Sequence, residues 1–312
     1  MASLEAARAT VRRSGLARTL RDQRHWMPYI FVAPFFATFA IFTLYPMVRA
    51  IVMGFQESVG YSGQWKWVGL ENFREALTED QFVRISFMNM VYYTLGSLGT
   101  QLPVAFLLAL MLTSQALWAR GMFRTVFFIP AVLPTVTIGV VGVWLFSPSR
   151  GFVNEVWAAL DLERVRWGMS PSHIMPMLLT MAFWQWVGYH AVFLIAGMSG
   201  IEPSLLEAAV VDGATAWQRA RYIILPLLRP VFAYISITAA AGSLVVFELP
   251  FIMIGTTGGA AGRGWFFIPY ISWVAFDRFR MGYATAIGWL VFFLSIVVTI
   301  IQLRLFGYGE AR

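Results

Sequence analysis

Six long stretches of this chain carry no charged side chain, and they dictate most of what it can fold into. One lies between Arg24 and Arg49, a second between Arg84 and Arg120, and a third between Arg124 and Arg150. The fourth lies between Arg166 and Glu202 and the sixth between Arg280 and Arg304. The fifth, between Arg229 and Glu248, is shorter but continues apolar to about Ile254. An α-helix needs about 20 apolar residues to cross ~30 Å of hydrocarbon, and each stretch can supply them. A membrane β-barrel would show alternating segments of about 10 residues instead. Composition agrees: 59% of residues are hydrophobic and 12% are charged, against roughly 25% charged in a soluble domain. The expected fold is all-α and integral to the membrane. Its six transmembrane helices fall near residues 28–50, 86–112, 124–146, 175–199, 227–254 and 282–304.

Arginine placement sets the orientation. Arg8, Arg12, Arg13, Arg18, Arg21 and Arg24 all precede the first span, and the positive-inside bias puts that tail in the cytoplasm, either as an anchor on anionic lipid headgroups or as a partner contact. With six spans, both termini are cytoplasmic. The chain then reads as a tail (1–27), a transmembrane domain (28–306) and a short second tail (307–312). Loops 54–84, 147–174 and 256–281 face outside, and loops 113–123 and 200–226 face inside. The first apolar run is too long for a signal-peptide core and reads as retained.

Several activities are excluded early. There is no cysteine, hence no thiol or disulfide chemistry. The net charge of +7 follows the topology and is no nucleic-acid signal. The single lysine, Lys66, sits in GQWKWVG, so no phosphate-binding loop of the type G-x-x-x-x-G-K-[ST] is present. His25, His173 and His190 lack metal-ligand spacing, and no catalytic constellation is apparent.

Ionisable residues within spans mark candidate sites. Arg49 lies at the outer end of the first span and can snorkel. Glu248, in VVFELPF, has three readings: a helix-interior hydrogen bond, a contact to a hydroxylated substrate, or proton coupling. In FWQWVGYHAVFL, Gln185 and Tyr189 share a helix face, with His190 beside them and Trp184 and Trp186 flanking. Rings with amide and hydroxyl donors suit a sugar; plain aromatic packing is the alternative. Pro130 and Pro134 in the third span allow either a packing kink or a functional bend. Outside, GLENFREAL predicts a short helix with Leu70, Phe73 and Leu77 on one side. SPSRGFVNEVWAALDL predicts a turn and an interfacial helix, with Trp157 and Trp167 at the membrane boundary. TTGGAAGRGW is either flexible or closely packed.

Loop 200–226 contains EAAVVDGATAWQRARYIILP. Ser204-x-x-Glu207 and Thr215-x-x-Gln218 read as capping boxes, with Asp212-Gly213 as the break between two short helices. Ala208, Ala209, Gly213 and Ala214 keep this helix–turn–helix thin, either as a solvated linker or as a docking element.

The pattern E-A-A-x-x-x-G, nine residues, then I-x-L-P is met in full by Glu207, Ala208, Ala209, Gly213, Ile223, Leu225 and Pro226. It resembles the cytoplasmic signature of inner-membrane permease subunits of binding-protein-dependent ABC importers. LYPMV at 44–48, WVGLENF at 67–73, RTVFFIPAVLP at 124–134 and the region 247–259 resemble the carbohydrate-uptake branch, of maltose and glycerol-phosphate type. The chain departs from the family's T-G-G-G-P in reading TTGGAAG.

The resemblance implies a type I importer permease fold in the bacterial inner membrane. It also implies a second homologous permease, two ATPase subunits using ATP and Mg, and an extracytoplasmic solute-binding protein as partners. This chain would bind no cofactor and catalyse nothing itself. Glu207, Ala208, Ala209, Asp212 and Gly213 would dock into an ATPase cleft, and Gln185, Tyr189, His190 and Glu248 would contact substrate. A di- or oligosaccharide is the first expectation, with glycerol-3-phosphate, a glycerophosphodiester or a polyol behind it. An ion-coupled secondary transporter is the reading from a different class, and it finds no partner carboxylate for Glu248 within the spans.

Overall fold

A computed structural model describes residues 27–59, 64–114 and 117–306. Both expected cytoplasmic tails, apart from Met27, therefore lie outside the described residues. The chain divides into two units between Met53 and Gly54. Helix α1 (Met27–Gly54) makes up the described part of the first unit, and its sequence is apolar on every side. It widens into a π turn over Ala40–Leu44, just ahead of Pro46. Proline lacks an N–H and its ring clashes with the carbonyl four residues back; a widened turn accommodates both faults.

The second unit opens with an antiparallel hairpin, β1 (Gln56–Val59) and β2 (Gln64–Trp67), pairing Glu57 with Lys66. Helices follow: α2 (Glu71–Thr78), α3 (Gln81–Thr113), α4 (Arg120–Val132), α5 (Thr135–Leu145), α6 (Phe152–Ala159) and α7 (Ile174–Met198). Then come α8 (Pro203–Val211), α9 (Ala216–Leu227) and α10 (Arg229–Leu244). The last are α11 (Glu248–Ile254), α12 (Phe267–Ser272) and α13 (Met281–Leu305). Among the described residues four helices, α1, α3, α7 and α13, are each long and apolar enough to cross a membrane. The count reaches six if the bent pairs α4–α5 and α9–α10 are one span each.

Two expected spans are not single helices. The third, 124–146, breaks between α4 and α5 with a bend of 95°. Pro134 forces Leu133 into extended backbone at ψ 140°, which ends α4. The fifth, 227–254, stops at Leu244, and Val245–Phe247 are not helical before α11 begins. In a continuous helix Pro250 would clash with the Val246 carbonyl; in the first turn of α11 its missing N–H is harmless.

The centre of this unit is α3 packed along α7, with α4 crossing α7 and α5 lying on α11. The α4–α7 crossing is close because position 188 is glycine: a Cβ there would sit 1.8 Å from the Phe127 carbonyl oxygen. Leu178, Leu194, Ile138 and Ile287 are fully buried in the apolar clusters that result.

Polar side chains knit the end carrying the hairpin and α2. The Asp80 carboxylate accepts the N–H groups of Phe82 (2.7 Å) and Val83 (3.3 Å), capping α3. It also accepts the hydroxyls of Tyr270 (2.5 Å) and Tyr283 (2.6 Å). Burial first, then the bond to Asp80, pushes the Tyr270 phenol well above its ordinary range, so it stays a donor. Arg280 donates to both Glu75 oxygens at 2.6 and 2.7 Å and meets Glu57 at 3.1 Å. Buried Asn72 donates to the Gly54 and Gln56 carbonyls, and Asn89 to those of Arg263 and Trp265.

These contacts revise two expectations and decide a third. Helix α2 forms, but it buries Asn72 and Ala76 and leaves Leu70 and Leu77 exposed, because Asn72 is needed by backbone carbonyls. Trp167 is buried, not interfacial: it donates to Asn154 Oδ1 and packs edge-on against Phe146 and Trp157. The glycine-rich loop is closely packed around buried Trp265.

Gly188→Ala should push α4 off α7 and lower stability by about 1–3 kcal/mol or more. Thermal unfolding of the detergent-solubilised protein should show a lower midpoint than Gly99→Ala, where a Cβ meets nothing within 4 Å.

Candidate functional site

Both helix breaks open onto one cavity of about 480 Å³, within the range of ~300–1,000 Å³ typical of small-molecule sites. Helix α3 contributes Tyr93, Ser97 and Gln101, and α5 contributes Thr135, its first residue after Pro134. Helix α7 contributes Gln185, Trp186, Tyr189 and His190. The end of α10, the break at Val245 and Val246, and Glu248 at the start of α11 complete the described wall. The four residues that the sequence singled out for substrate contact are thus brought together.

Their environments differ. Gln185 is buried, and its Nε2 donates to Thr135 Oγ1 at 3.1 Å, tying α7 to the broken span. His190 is buried, and its Nδ1 has no hydrogen-bond partner among the described residues. Ser97 Oγ, in the same wall, is also unpartnered. Tyr189 packs against Trp186 at 5.5 Å and Phe193 at 4.7 Å, which fixes its ring. Glu248 is exposed to the cavity and makes no hydrogen bond or ion pair with a described residue. Trp184, expected to flank the site with Trp186, does not line it. Sequence reasoning missed Ser97, Gln101 and Thr135. The signal was available for the first two: Tyr93, Ser97 and Gln101 recur every four residues along one face of an otherwise apolar helix.

The second candidate site is the helix–turn–helix α8–α9. The Thr215–Gln218 capping box forms as expected: Gln218 Oε1 accepts the Thr215 N–H at 2.7 Å and Thr215 Oγ1 the Gln218 N–H at 3.3 Å. The Ser204–Glu207 box does not form. Pro203 begins α8 and Glu202 takes the cap position, so Ser204 already lies inside the first turn. At the other end α8 closes in a Schellman motif. Ala214 N–H donates to the Ala209 carbonyl at 2.9 Å and Gly213 N–H to that of Val210 at 3.0 Å. This closure requires the left-handed conformation that Gly213 adopts, at φ +79°.

Glu207, Ala208, Asp212 and Gly213 are exposed, whereas Ala209 is buried. Val211, 87% exposed, and Trp217 and Tyr222 project from the same hairpin. A shallow depression of about 290 Å³ lies between Asp212, Gly213, Gln218 and Tyr222.

Residues 101–306 match the family described as binding-protein-dependent transport system inner membrane component. The chain belongs to that family. It is 30% identical over 281 residues to an arabinooligosaccharide transport system permease protein of Bacillus subtilis, covering 90% of this chain and 88% of that one. It is 29% identical over 298 residues to a lactose transport system permease protein of Rhizobium radiobacter, covering 94% and 97%. Among solved structures it superposes with TM-score 0.79 and 25% identity on a bacterial ABC transporter involved in import of the acidic polysaccharide alginate. That match covers 94% of this chain and all of the other. This permease therefore has the type I importer fold and is a multi-pass protein of the bacterial inner membrane. Its relatives are transport permeases.

Gly213→Ala should strain the α8 closure by about 1–2 kcal/mol. Amide exchange at Gly213 and Ala214 should accelerate by roughly fivefold or more, while Gly213→Asn, which tolerates the left-handed region, should change it less.

Proposed function

We propose that this permease carries a sugar, a di- or oligosaccharide, into the cytoplasm by ATP-driven alternating access. The cavity carries the reading. Amide, hydroxyl and imidazole groups of Gln101, Gln185, Ser97 and His190 line it beside the rings of Trp186 and Tyr189. A sugar presents hydroxyls at its edge and C–H groups on its faces, so polar groups interleaved with rings match both. An unpaired buried polar atom costs about 1–3 kcal/mol, and a sugar hydroxyl reaching Ser97 Oγ or His190 Nδ1 would offset that. Permeases for arabinooligosaccharides and lactose among the relatives favour the same class of cargo.

In this reading Gln185, Tyr189, His190 and Glu248 contact the sugar. An extracytoplasmic binding protein delivers it, and a second homologous permease completes the passage. Two ATPase subunits, which use ATP and Mg, supply the P-loop lysine that this chain lacks. Glu207, Ala208, Ala209, Asp212 and Gly213 form the contact through which those ATPases act. The path from that contact to the cavity is short in elements: α8 turns at Gly213 into α9, which bends by 65° into α10. Helix α10 ends at Val245, in the cavity wall. A push on the hairpin is thereby delivered to the break beside Glu248.

The test is uptake of arabinotriose and lactose by proteoliposomes holding the complete complex. Glu207→Ala and Gly213→Val should lower uptake roughly tenfold or more, on the scale of a lost inter-site coupling. Both should also reduce co-purification of the ATPase while membrane insertion is unchanged. Uptake that continues without ATPase subunits defeats the reading.

A further inference from the structure

The cavity wall also bears on which saccharides can pass. We propose that Glu248 is a specificity-determining residue that admits uncharged saccharides and rejects acidic ones such as uronate oligomers. This rests on the cavity being the sugar site.

The described lining contains neither lysine nor arginine, and Glu248 is its one carboxylate. No described residue pairs with Glu248, so its charge is left for the cargo to meet. His190 adds an imidazole but no fixed cation, and Gln185 is already engaged with Thr135. Two arginines able to receive a carboxylate are placed elsewhere. Arg280 is held by Glu75 and Glu57, and Arg278 lies 4.4 Å from the Trp273 ring. Both line a separate cleft with Glu79 and Asp80.

Recognition of a planar carboxylate calls for an arginine or a set of backbone N–H donors; a carboxylate in the wall does the opposite, because like charges brought close together repel. Toward a neutral sugar the same group is favourable, since an ionised acceptor makes stronger hydrogen bonds to hydroxyls than a neutral one. A charge at this position therefore separates two cargos that share hydroxyl pattern and ring shape.

The experiment titrates the purified complete complex with arabinotriose and with trigalacturonate, followed by calorimetry. The wild type should bind arabinotriose at least roughly tenfold more tightly, a gap of about 1.4 kcal/mol. Glu248→Gln should narrow that gap mainly by strengthening trigalacturonate, and Glu248→Arg should invert the preference. Equal or tighter wild-type binding of trigalacturonate overturns the proposal, and so does a ratio unchanged in Glu248→Gln. Gln185→Ala and Tyr189→Ala separate the two layers. If they weaken arabinotriose while Glu248→Gln leaves the ratio fixed, the filter alone is wrong. If they leave both affinities unchanged, or neither trisaccharide binds the wild type, the sugar-site reading falls and the filter with it. Glu248→Gln is nearly isosteric and carries the test even if Glu248→Arg fails to assemble.

Discussion

Within hydrocarbon every backbone N–H and C=O must find a partner inside the protein, because no water is present to supply one. That constraint makes an unbroken helix the default and makes each interruption informative. Besides the 65° bend between α9 and α10, this chain interrupts two spans, at Leu133–Pro134 and at Val245–Phe247. The interruptions are not scattered: Thr135, Val245, Val246 and Glu248 all line one cavity. The half-helices beyond them, α5 and α11, lie against each other, with Gly139 opposite Ile252 and Gly142 opposite Met253. Irregular backbone at membrane depth is tolerated where it lines a cavity, and the fold concentrates both irregular points there.

At the end carrying the hairpin and α2, charged and amide side chains add to the apolar packing of Ala76, Val83, Trp265 and Tyr283. Asp80 ties the start of α3 to α12 and to α13 with a single carboxylate. Arg280 joins the entry to α13 to α2 and β1. Such groups stabilise only when each donor and acceptor is matched. Here Asp80 receives four donors, and the Arg280 guanidinium spans two carboxylates. The cavity wall follows the other rule, with Ser97 Oγ and His190 Nδ1 left unmatched.

The apolar runs were legible because bilayer thickness fixes a length that the sequence must meet. The breaks were not, since Pro134 and Pro250 are compatible with a kink, a break or a first turn, and packing elsewhere decides. Gln185, Tyr189 and His190 could be grouped because they sit within two turns of one helix; joining them to Glu248 on α11, or to Ser97 on α3, needs the tertiary fold. Asp80 bonds Tyr270 at a separation of 190 residues, which no local pattern reveals. The two capping boxes show the same limit at short range. Thr215–Gln218 formed, whereas at the start of α8 the cap moved two positions, from Ser204 to Glu202, with Pro203 as the first helical residue. The hairpin β1–β2 was missed because four residues per strand carry too little alternation to register.

The cavity wall draws on α3, α5, α7, α10 and α11, each giving a few side chains between Tyr93 and Leu249. On the proposed reading, selectivity would not be a property of any segment that could be exchanged as a block between relatives. A graft of one helix would import part of a wall fitted to other neighbours.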